Sequence, residues 1–191
     1  MANIYTVEKK IKDKKYVAQF NGISAALQAV DNSYVDGTNN TSLEKLAKYL
    51  FANVIVEPKV DIDDFGADKI GKEEKKTING VEYVAKFDGI TSALKAIDGC
   101  YIEGTNNTST EKLAKYLFES VITKPAKLTA DDFDGMEDFN AVISFARETM
   151  QGGKEVWQEF QDVFAFAREV MQGNFRAKKD NKKPAKAESK A

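Results

Sequence analysis

The chain has 191 residues, of which 42% are apolar and 30% charged, and its formal net charge is −2. These totals are typical of a globular protein with a well-solvated surface, and they allow one domain or two small ones. The sequence has no run near the roughly 20 apolar residues of a membrane span, no apolar signal segment at its start, and no histidine, which removes the commonest general base and metal ligand.

A long segment of the sequence occurs twice. Residues 16–55 and 83–122 align without a gap, and 27 of the 40 positions are identical. A shorter duplication follows, in which residues 139–152 match residues 160–173. We name the long repeat A and the short repeat B, so the order along the chain is A, A, B, B. If the second B segment returns to cover the first A segment, this order predicts two similar lobes, as in a dimer fused into one chain.

This interpretation divides the chain into five parts. They are a first repeat lobe at 1–65, a linker at 66–74, a second repeat lobe at 75–133, paired C-terminal helices at 134–174 and a disordered basic tail at 175–191. The fold class that we predict is α+β, with a β-hairpin and two helices in each lobe and two amphipathic helices after them.

The first element of each A repeat is a predicted β-hairpin. In the first copy, the β-prone runs 4–7 and 16–20 flank a charged tip. In the second copy, Asn79 and Gly80 form the residue pair that type I′ turns favour.

Two helices are predicted after each hairpin. Asn21 and Asp88 have side chains that can act as N-caps. Apolar residues then recur at helical spacing, and the second copy keeps them: Ile23, Leu27, Val30 and Tyr34, with Ile90, Leu94, Ile97 and Tyr101.

A loop of sequence GTNNTS precedes the next helix in both copies. Thr41 with Glu44, and Thr108 with Glu111, have the spacing of capping boxes. The loop could instead cradle a phosphate, but the sequence has no P-loop or GxGxxG motif, and capping already explains these residues. Leu43 becomes Thr110 in the second copy, so we expect the two copies to differ in what this first turn contacts.

An extended segment that contains a proline, Pro58 or Pro125, follows the second helix of each copy. Proline cannot continue a helix, and the residue before it prefers extended geometry. The segment could add an edge strand beside the hairpin or cross the surface, and we favour the strand.

The two B segments predict amphipathic helices rich in aromatic residues. The first is expected to start at Asp134, capped with Glu137, and to end at Gly152. The second is expected to stop near Gly173. Phe145 and Phe166 lie off the narrowest apolar stripe, which is typical either of a partner surface or of a small core that needs every aromatic residue. The candidate partner-binding residues are Phe139, Phe145, Trp157, Phe160 and Phe166.

The remaining polar clusters favour no chemistry. Acidic residues at 61, 63 and 64 and at 131, 132 and 134 could attract a hard cation, but they do not fit an EF-hand loop, and helix capping explains them. The single Cys100 corresponds to Ser33 and is interpreted as a small filler residue. The Lys-rich tail could attract a polyanion, but the rest of the chain is acidic, so we do not expect nucleic-acid binding. We predict no catalytic residue, no metal and no cofactor.

The first A repeat (YVAQFNGISAALQAVDNSYVDGTNNTSLEKLAKYLFANVIVEPKVDIDDF), followed by a helix of the form DFNAVISFARETMQG and a Lys-rich end, resembles the tail assembly chaperones of long-tailed (siphovirus-type) phages of Gram-positive bacteria. The resemblance covers nearly the whole chain and lies in general sequence texture, without an invariant motif. This chain differs from the usual member in being duplicated.

The resemblance implies a non-catalytic protein of the host cytoplasm that is not part of the mature virion. Its implied partner is the phage tape measure protein, which it would keep soluble while the tail tube assembles. The tail tube protein and a second copy of the chain are further candidate partners, and no membrane is expected. An alternative from a different class is a small phage protein that binds and inhibits or triggers a host defence factor, which the acidic surface would suit.

Overall fold

The computed structural model describes residues 4–105 and 107–175, so the predicted basic tail lies outside the described residues except for Phe175. Within them the chain forms six α-helices and two three-stranded antiparallel sheets, and the predicted α+β class is confirmed. None of these helices combines the length and the apolarity that crossing a bilayer requires. The elements are, in order, β1 (Tyr5–Ile11), β2 (Lys14–Phe20), α1 (Ile23–Asp31), α2 (Leu43–Asn53), β3 (Ile55–Glu57), β4 (Glu73–Ile78), β5 (Val81–Lys86), α3 (Ile90–Gly99), α4 (Thr110–Tyr116), β6 (Ile122–Lys124), α5 (Met136–Met150) and α6 (Lys154–Met171).

The first sheet has the strand order β1-β2-β3. β1 and β2 pair from Tyr5 with Phe20 to Ile11 with Lys14, so the predicted hairpin is confirmed and its strands are longer than expected. Side chains alternate across β2, where Tyr16, Ala18 and Phe20 are buried. One face of the sheet therefore points into a core.

The second sheet has the strand order β4-β5-β6. Asn79 and Gly80 have φ values of 47° and 79°, the left-handed conformation that the predicted type I′ turn requires at both positions. The segment 66–74, predicted as a linker, contains a 3-10 turn at Ala67–Lys69 and the first residues of β4.

The proline-containing segments form edge strands, as we favoured. β3 pairs with β2, and β6 pairs with β5, both antiparallel. β3 follows α2 after one residue, and β6 follows a π-helical turn, Leu117–Val121, that continues α4. Each repeat thus returns beside its own hairpin.

The predicted caps of the first helices are wrong. The N-caps of α1 and α3 are Gly22 and Gly89, which have φ 96° and extended ψ, a conformation that glycine adopts without penalty. Asn21 instead donates a hydrogen bond of 2.9 Å to the Asn53 carbonyl. Asp88 pairs with the ammonium of Lys86 at 3.0 Å.

The predicted capping boxes are also displaced by one residue. Ser42 and Ser109, not the preceding threonines Thr41 and Thr108, are the N-caps of α2 and α4, and each accepts a hydrogen bond from the amide three residues later. Glu44 and Glu111 therefore lie one position too early to close the box. The predicted Asp134–Glu137 cap of α5 is wrong as well, because Gly135 is the N-cap and no side chain caps it.

The two B helices cover different sheets. α5 packs against β4 and β5, whereas α6, the last helix, packs against β1, β2 and α2. Val163, Phe166 and Ala167 of α6 share a core with Tyr16 and Ala18 of the first sheet. The chain thus returns to cover its own first hairpin, an arrangement that places α5 and α6 on separate cores.

Candidate protein-binding surfaces

The two A repeats meet where α3 packs onto α2, and we call this contact the joint. Ile90 and Leu94 of α3 belong to the core that contains Ala47, Phe51 and Ile62 of the first repeat. Their exposed fractions are 0% and 1%. A pair of apolar side chains one helical turn apart is therefore fully buried in a groove of the other repeat.

Asp98, at the far end of α3, caps α2 across the joint. Its carboxylate accepts hydrogen bonds from the Ser42 hydroxyl at 2.6 Å and from the amides of Leu43 and Glu44 at 2.8 and 3.1 Å. These amides are free donors at the start of a helix, where the helix dipole also favours a negative charge.

A second cap crosses the joint in the opposite direction. Asp63, in the 3-10 turn Ile62–Asp64, accepts a hydrogen bond of 2.8 Å from the Thr91 amide at the start of α3. Gly89 permits this approach, because a Cβ at that position would lie 2.7 Å from the Asp63 carboxylate oxygen. Apolar contact and two carboxylate caps therefore fix the joint together.

On the first repeat, the counterpart of the buried pair faces solvent. Ile23 and Leu27 of α1, which match Ile90 and Leu94 in the sequence repeat, are each 60% exposed. We call these two residues the α1 ridge. Two large apolar side chains side by side on an exposed helix face are typical of an interaction surface.

On the second repeat, the counterpart of the groove is an open cleft of about 500 Å³. Thr110, Ala114 and Phe118 line one wall, and Leu128, Met136 and Phe139 line another. Met136 stands at 67% exposure, although it is a large apolar residue. We call this feature the open cleft, and its dimensions suit an apolar helix face.

The structure separates the five aromatic residues that the sequence singled out. Phe145, Phe160 and Phe166 are buried, so the interpretation of these side chains as a partner surface is wrong and the alternative, a core that needs them, holds. The reason is that each B helix has a sheet on one side and helices on another, which buries a wide apolar face. Phe139 and Trp157 are half-buried, and only Phe139 lines the open cleft.

Sequence reasoning missed the α1 ridge and the open cleft. Ile23 and Leu27 were placed on an apolar stripe, which predicts burial, and nothing in the first copy distinguishes them from Ile90 and Leu94. The replacement of Leu43 by Thr110 was the one available signal, because Thr110 lies on the rim of the open cleft.

The acidic clusters act mainly as caps in the described residues. Asp64 accepts from the Asp61 amide at 2.7 Å, and Asp132 accepts from the Thr129 amide and hydroxyl at 2.7 and 2.8 Å. These hydrogen bonds hold the pKa of the Asp132 carboxyl below its usual value. Within residues 4–105 and 107–175, no group of three ligand-type side chains is placed to hold a metal ion.

Cys100 is buried between α3 and α4. Burial raises the pKa of its thiol, and the nearby Lys112 only partly opposes this effect. The thiol is thus poorly suited to act as a nucleophile at neutral pH.

Comparisons of the chain with protein-family models, with curated proteins and with solved structures found no match.

Proposed function

We infer that the two halves of the chain are copies of one unit, each completed by one B helix. Equivalent contacts support this. The tip residue of the first hairpin, Lys12, pairs with Glu159 of α6 at 3.2 Å, and the tip residue of the second, Asn79, donates to Asp138 of α5 at 3.0 Å. In each case the B-helix partner is the residue directly before the short repeat, Asp138 before Phe139 and Glu159 before Phe160.

A second pair of contacts supports the same inference. The Phe20 ring lies 3.3 Å from the Cβ position of Gly173, and the Phe87 ring lies 3.0 Å from that of Gly152. Phe20 matches Phe87 in repeat A, and Gly173 matches Gly152 in repeat B. Each hairpin thus ends against the glycine that follows its own B helix.

We propose that the protein is a non-catalytic binding chaperone that covers apolar helix faces of a client. The observation that carries the proposal is the joint, in which the two side chains Ile90 and Leu94 of a helix are buried completely by a groove of this fold. The open cleft, with Phe139 from a B helix on its wall, offers a groove of the same kind to a partner. The sequence resemblance gives the identity that we propose for it, a tail assembly chaperone whose client is the phage tape measure protein.

A cleft of this kind should bind a client helix weakly and reversibly. Burying two aliphatic side chains contributes about 3–6 kcal/mol, at 1.5–3 kcal/mol each. Association costs on the order of 4–15 kcal/mol in lost rotational and translational freedom. One cleft therefore binds an isolated helix weakly, and a long client with a recurring apolar stripe is retained only by engaging several molecules at once.

The first test is co-expression with the tape measure protein of the same genome. We expect the chain to raise the soluble fraction of the tape measure protein and to co-purify with it. Thr110→Arg, which places a long charged side chain at an exposed position of the open cleft, should abolish both effects. Val81→Asp removes another exposed apolar residue, at the turn of the second hairpin, and should leave both effects unchanged.

The circular-dichroism spectrum and the urea midpoint of each variant show whether it still folds. Met136→Asp, at a residue that is already mostly exposed, provides a second disruption of the cleft with little risk to folding. Failure of the wild-type chain to capture the tape measure protein would contradict the proposal. Capture of a host defence factor in the same experiment would instead favour the alternative function.

A further inference from the structure

The joint connects two different surfaces, a groove and a helix face. Each repeat has both surfaces but contributes only one of them to the joint. The first repeat supplies the groove and the second supplies the buried pair Ile90 and Leu94. The first repeat therefore keeps a free α1 ridge, Ile23 and Leu27, and the second keeps the open cleft. A contact between unlike surfaces of identical units does not close on itself in pairs, but continues from unit to unit.

We propose that the open cleft of one molecule binds the α1 ridge of a second copy of this chain, so that molecules associate head to tail. The new contact would repeat the joint between molecules. The occupant is specified by the chain itself, because the joint shows which helix face this groove takes. The proposal rests on the inference that the halves are copies of one unit, and it needs no client. A client helix and the ridge of a second copy would compete for the same cleft.

The α1 ridge has the same residue types, at the same spacing, as the pair that the groove buries in the joint. Ile23 and Leu27 are identical in type to Ile90 and Leu94 and have the same separation along the helix. The backbone at the start of the two helices also has the same conformation, since Gly22 has φ 96° and ψ 161° and Gly89 has φ 96° and ψ 158°. In the joint this conformation is what lets a carboxylate approach the first turn.

The carboxylate caps also have counterparts, and these face solvent. Asp31, which matches Asp98, is exposed at the end of α1, and in the new contact it would accept from the Ser109 hydroxyl and the amides after it. Asp131 corresponds to Asp63, because the second copy has one extra residue after Pro125 and the 3-10 turns Ile62–Asp64 and Ala130–Asp132 are equivalent. Asp131 is exposed beside the open cleft and would accept from the Ser24 amide. The ridge and the cleft thus carry complementary polar groups on the same sides as in the joint.

Three differences make the contact between molecules weaker than the joint. Thr110 stands in place of Leu43 and Ala130 in place of Ile62, so the open cleft buries less apolar surface. Gln28 stands in place of Lys95, whose ammonium lies 3.8 Å from the Glu44 carboxylate in the joint. We therefore expect association to depend on concentration, and the head-to-tail contact to be reversible.

Analytical ultracentrifugation of the purified chain, without any client, tests the proposal. We expect the mass to rise with concentration beyond that of a dimer. Leu27→Asp on the ridge and Thr110→Arg in the cleft should each raise the dissociation constant at least tenfold, whereas Val81→Asp should not change it.

A mixing experiment distinguishes a head-to-tail contact from a symmetric one. The Leu27→Asp variant keeps its cleft and the Thr110→Arg variant keeps its ridge, so an equimolar mixture should form dimers of one molecule of each and nothing larger. A symmetric dimer contact predicts no such complementation. A mixture that remains monomeric at concentrations where the wild-type chain associates, or a wild-type chain that stays monomeric up to millimolar concentration, would overturn the proposal.

A variant that is expected to strengthen association completes the test, because misfolding cannot explain a gain in association. Thr110→Leu restores the residue of the first repeat at the rim of the open cleft and should strengthen association roughly tenfold, because it adds apolar surface to the contact. Association unchanged by Thr110→Leu and by Leu27→Asp would place the contact elsewhere and reject the proposal. Self-association and capture of the tape measure protein are separate measurements, so either can fail while the other succeeds.

Discussion

The Asp98 carboxylate lies 2.6 Å from the Ser42 hydroxyl, although the two residues belong to different A repeats and are 56 positions apart. Asp98 thus acts as a cap for a helix that its own repeat does not contain. Hydrogen bonds to a charged acceptor are stronger than neutral ones, and unlike apolar contact they have a preferred direction. Asp98 therefore fixes the position of α3 on α2, beyond the burial that Ile90 and Leu94 supply.

Asp98→Asn should lower the free energy of unfolding by about 1–2 kcal/mol, because two amides and a hydroxyl lose a charged acceptor. Urea unfolding followed by circular dichroism measures this loss. Asp31→Asn is the matched control, since Asp31 occupies the same place in the first repeat but is exposed. At dilutions where the chain is monomeric, the control should change stability by less than about 0.5 kcal/mol. Equal losses in the two variants would show that the cap does not stabilise the joint.

Leu94→Ala should cost about 2–5 kcal/mol, because it removes a fully buried side chain from the joint and leaves a cavity. Leu27→Ala changes the same residue type at the matching position of the first repeat, where the side chain is mostly exposed. Its expected cost in dilute solution is below about 0.5 kcal/mol. Denaturant titrations at one low protein concentration compare the two. A cost for Leu27→Ala as large as that for Leu94→Ala would mean that α1 is covered in the monomer.

Gly89→Ala should destabilise the chain more than Gly22→Ala. Both glycines have φ 96°, so both substitutions incur backbone strain of about 1–3 kcal/mol. At Gly89 the new Cβ would also meet the Asp63 carboxylate, at 2.7 Å. The difference between the two unfolding free energies measures the extra cost at Gly89, and a difference of zero would argue against the close approach of Asp63.

Phe166→Ala should cost about 3–5 kcal/mol in stability, since the ring is fully buried between α6 and the first sheet. Thermal and urea unfolding both report it. Met136→Ala, at a large apolar residue that is mostly exposed, is the control and should be nearly neutral. A Phe166→Ala variant that keeps its stability but loses partner binding would restore the interpretation of Phe166 as a surface residue.

The Cys100 thiol should react slowly with a disulfide reagent in the native chain. Burial raises its pKa, so the reactive thiolate is scarcer than in an unfolded peptide at the same pH. The folded state therefore holds this proton more tightly, and the stability that it contributes is complete below the pKa of the unfolded thiol and decreases as pH rises above it. Reaction rates with and without urea test this, and a native rate equal to the unfolded rate would contradict it.

Local patterns predicted the hairpins, the edge strands and the helices of this fold. Asn79-Gly80 determines its turn through backbone conformation alone, and Pro58 favours extended geometry at the residue before it, Glu57, which is the last residue of β3. Neither signal depends on tertiary contacts. The caps were predicted less well. Asp98 and Asp63 cap helices of the other repeat, and no pattern within a few residues of Ser42 or Thr91 reveals a donor or acceptor so distant in sequence.

The candidate surfaces could not be predicted, because identical side chains have opposite environments. Ile23 and Ile90 lie in nearly the same local sequence, yet one is mostly exposed and the other fully buried. The difference arises from which repeat lies next to which, and that depends on the whole topology. The interpretation of the aromatic residues of α5 and α6 as a partner surface failed for the same reason. The width of the face that a helix buries depends on how many elements surround it.

The position of α6 in the chain has a consequence for biosynthesis. Its buried side chains complete the core of the first sheet, but they are translated about 140 residues after β2. Until the ribosome has released residue 171, Tyr16, Ala18 and Phe20 have no permanent cover, and the nascent hairpin exposes an apolar face. Folding of the N-terminal half must therefore wait until α6 has left the ribosome, and premature termination anywhere before α6 should produce a fragment that aggregates or is degraded.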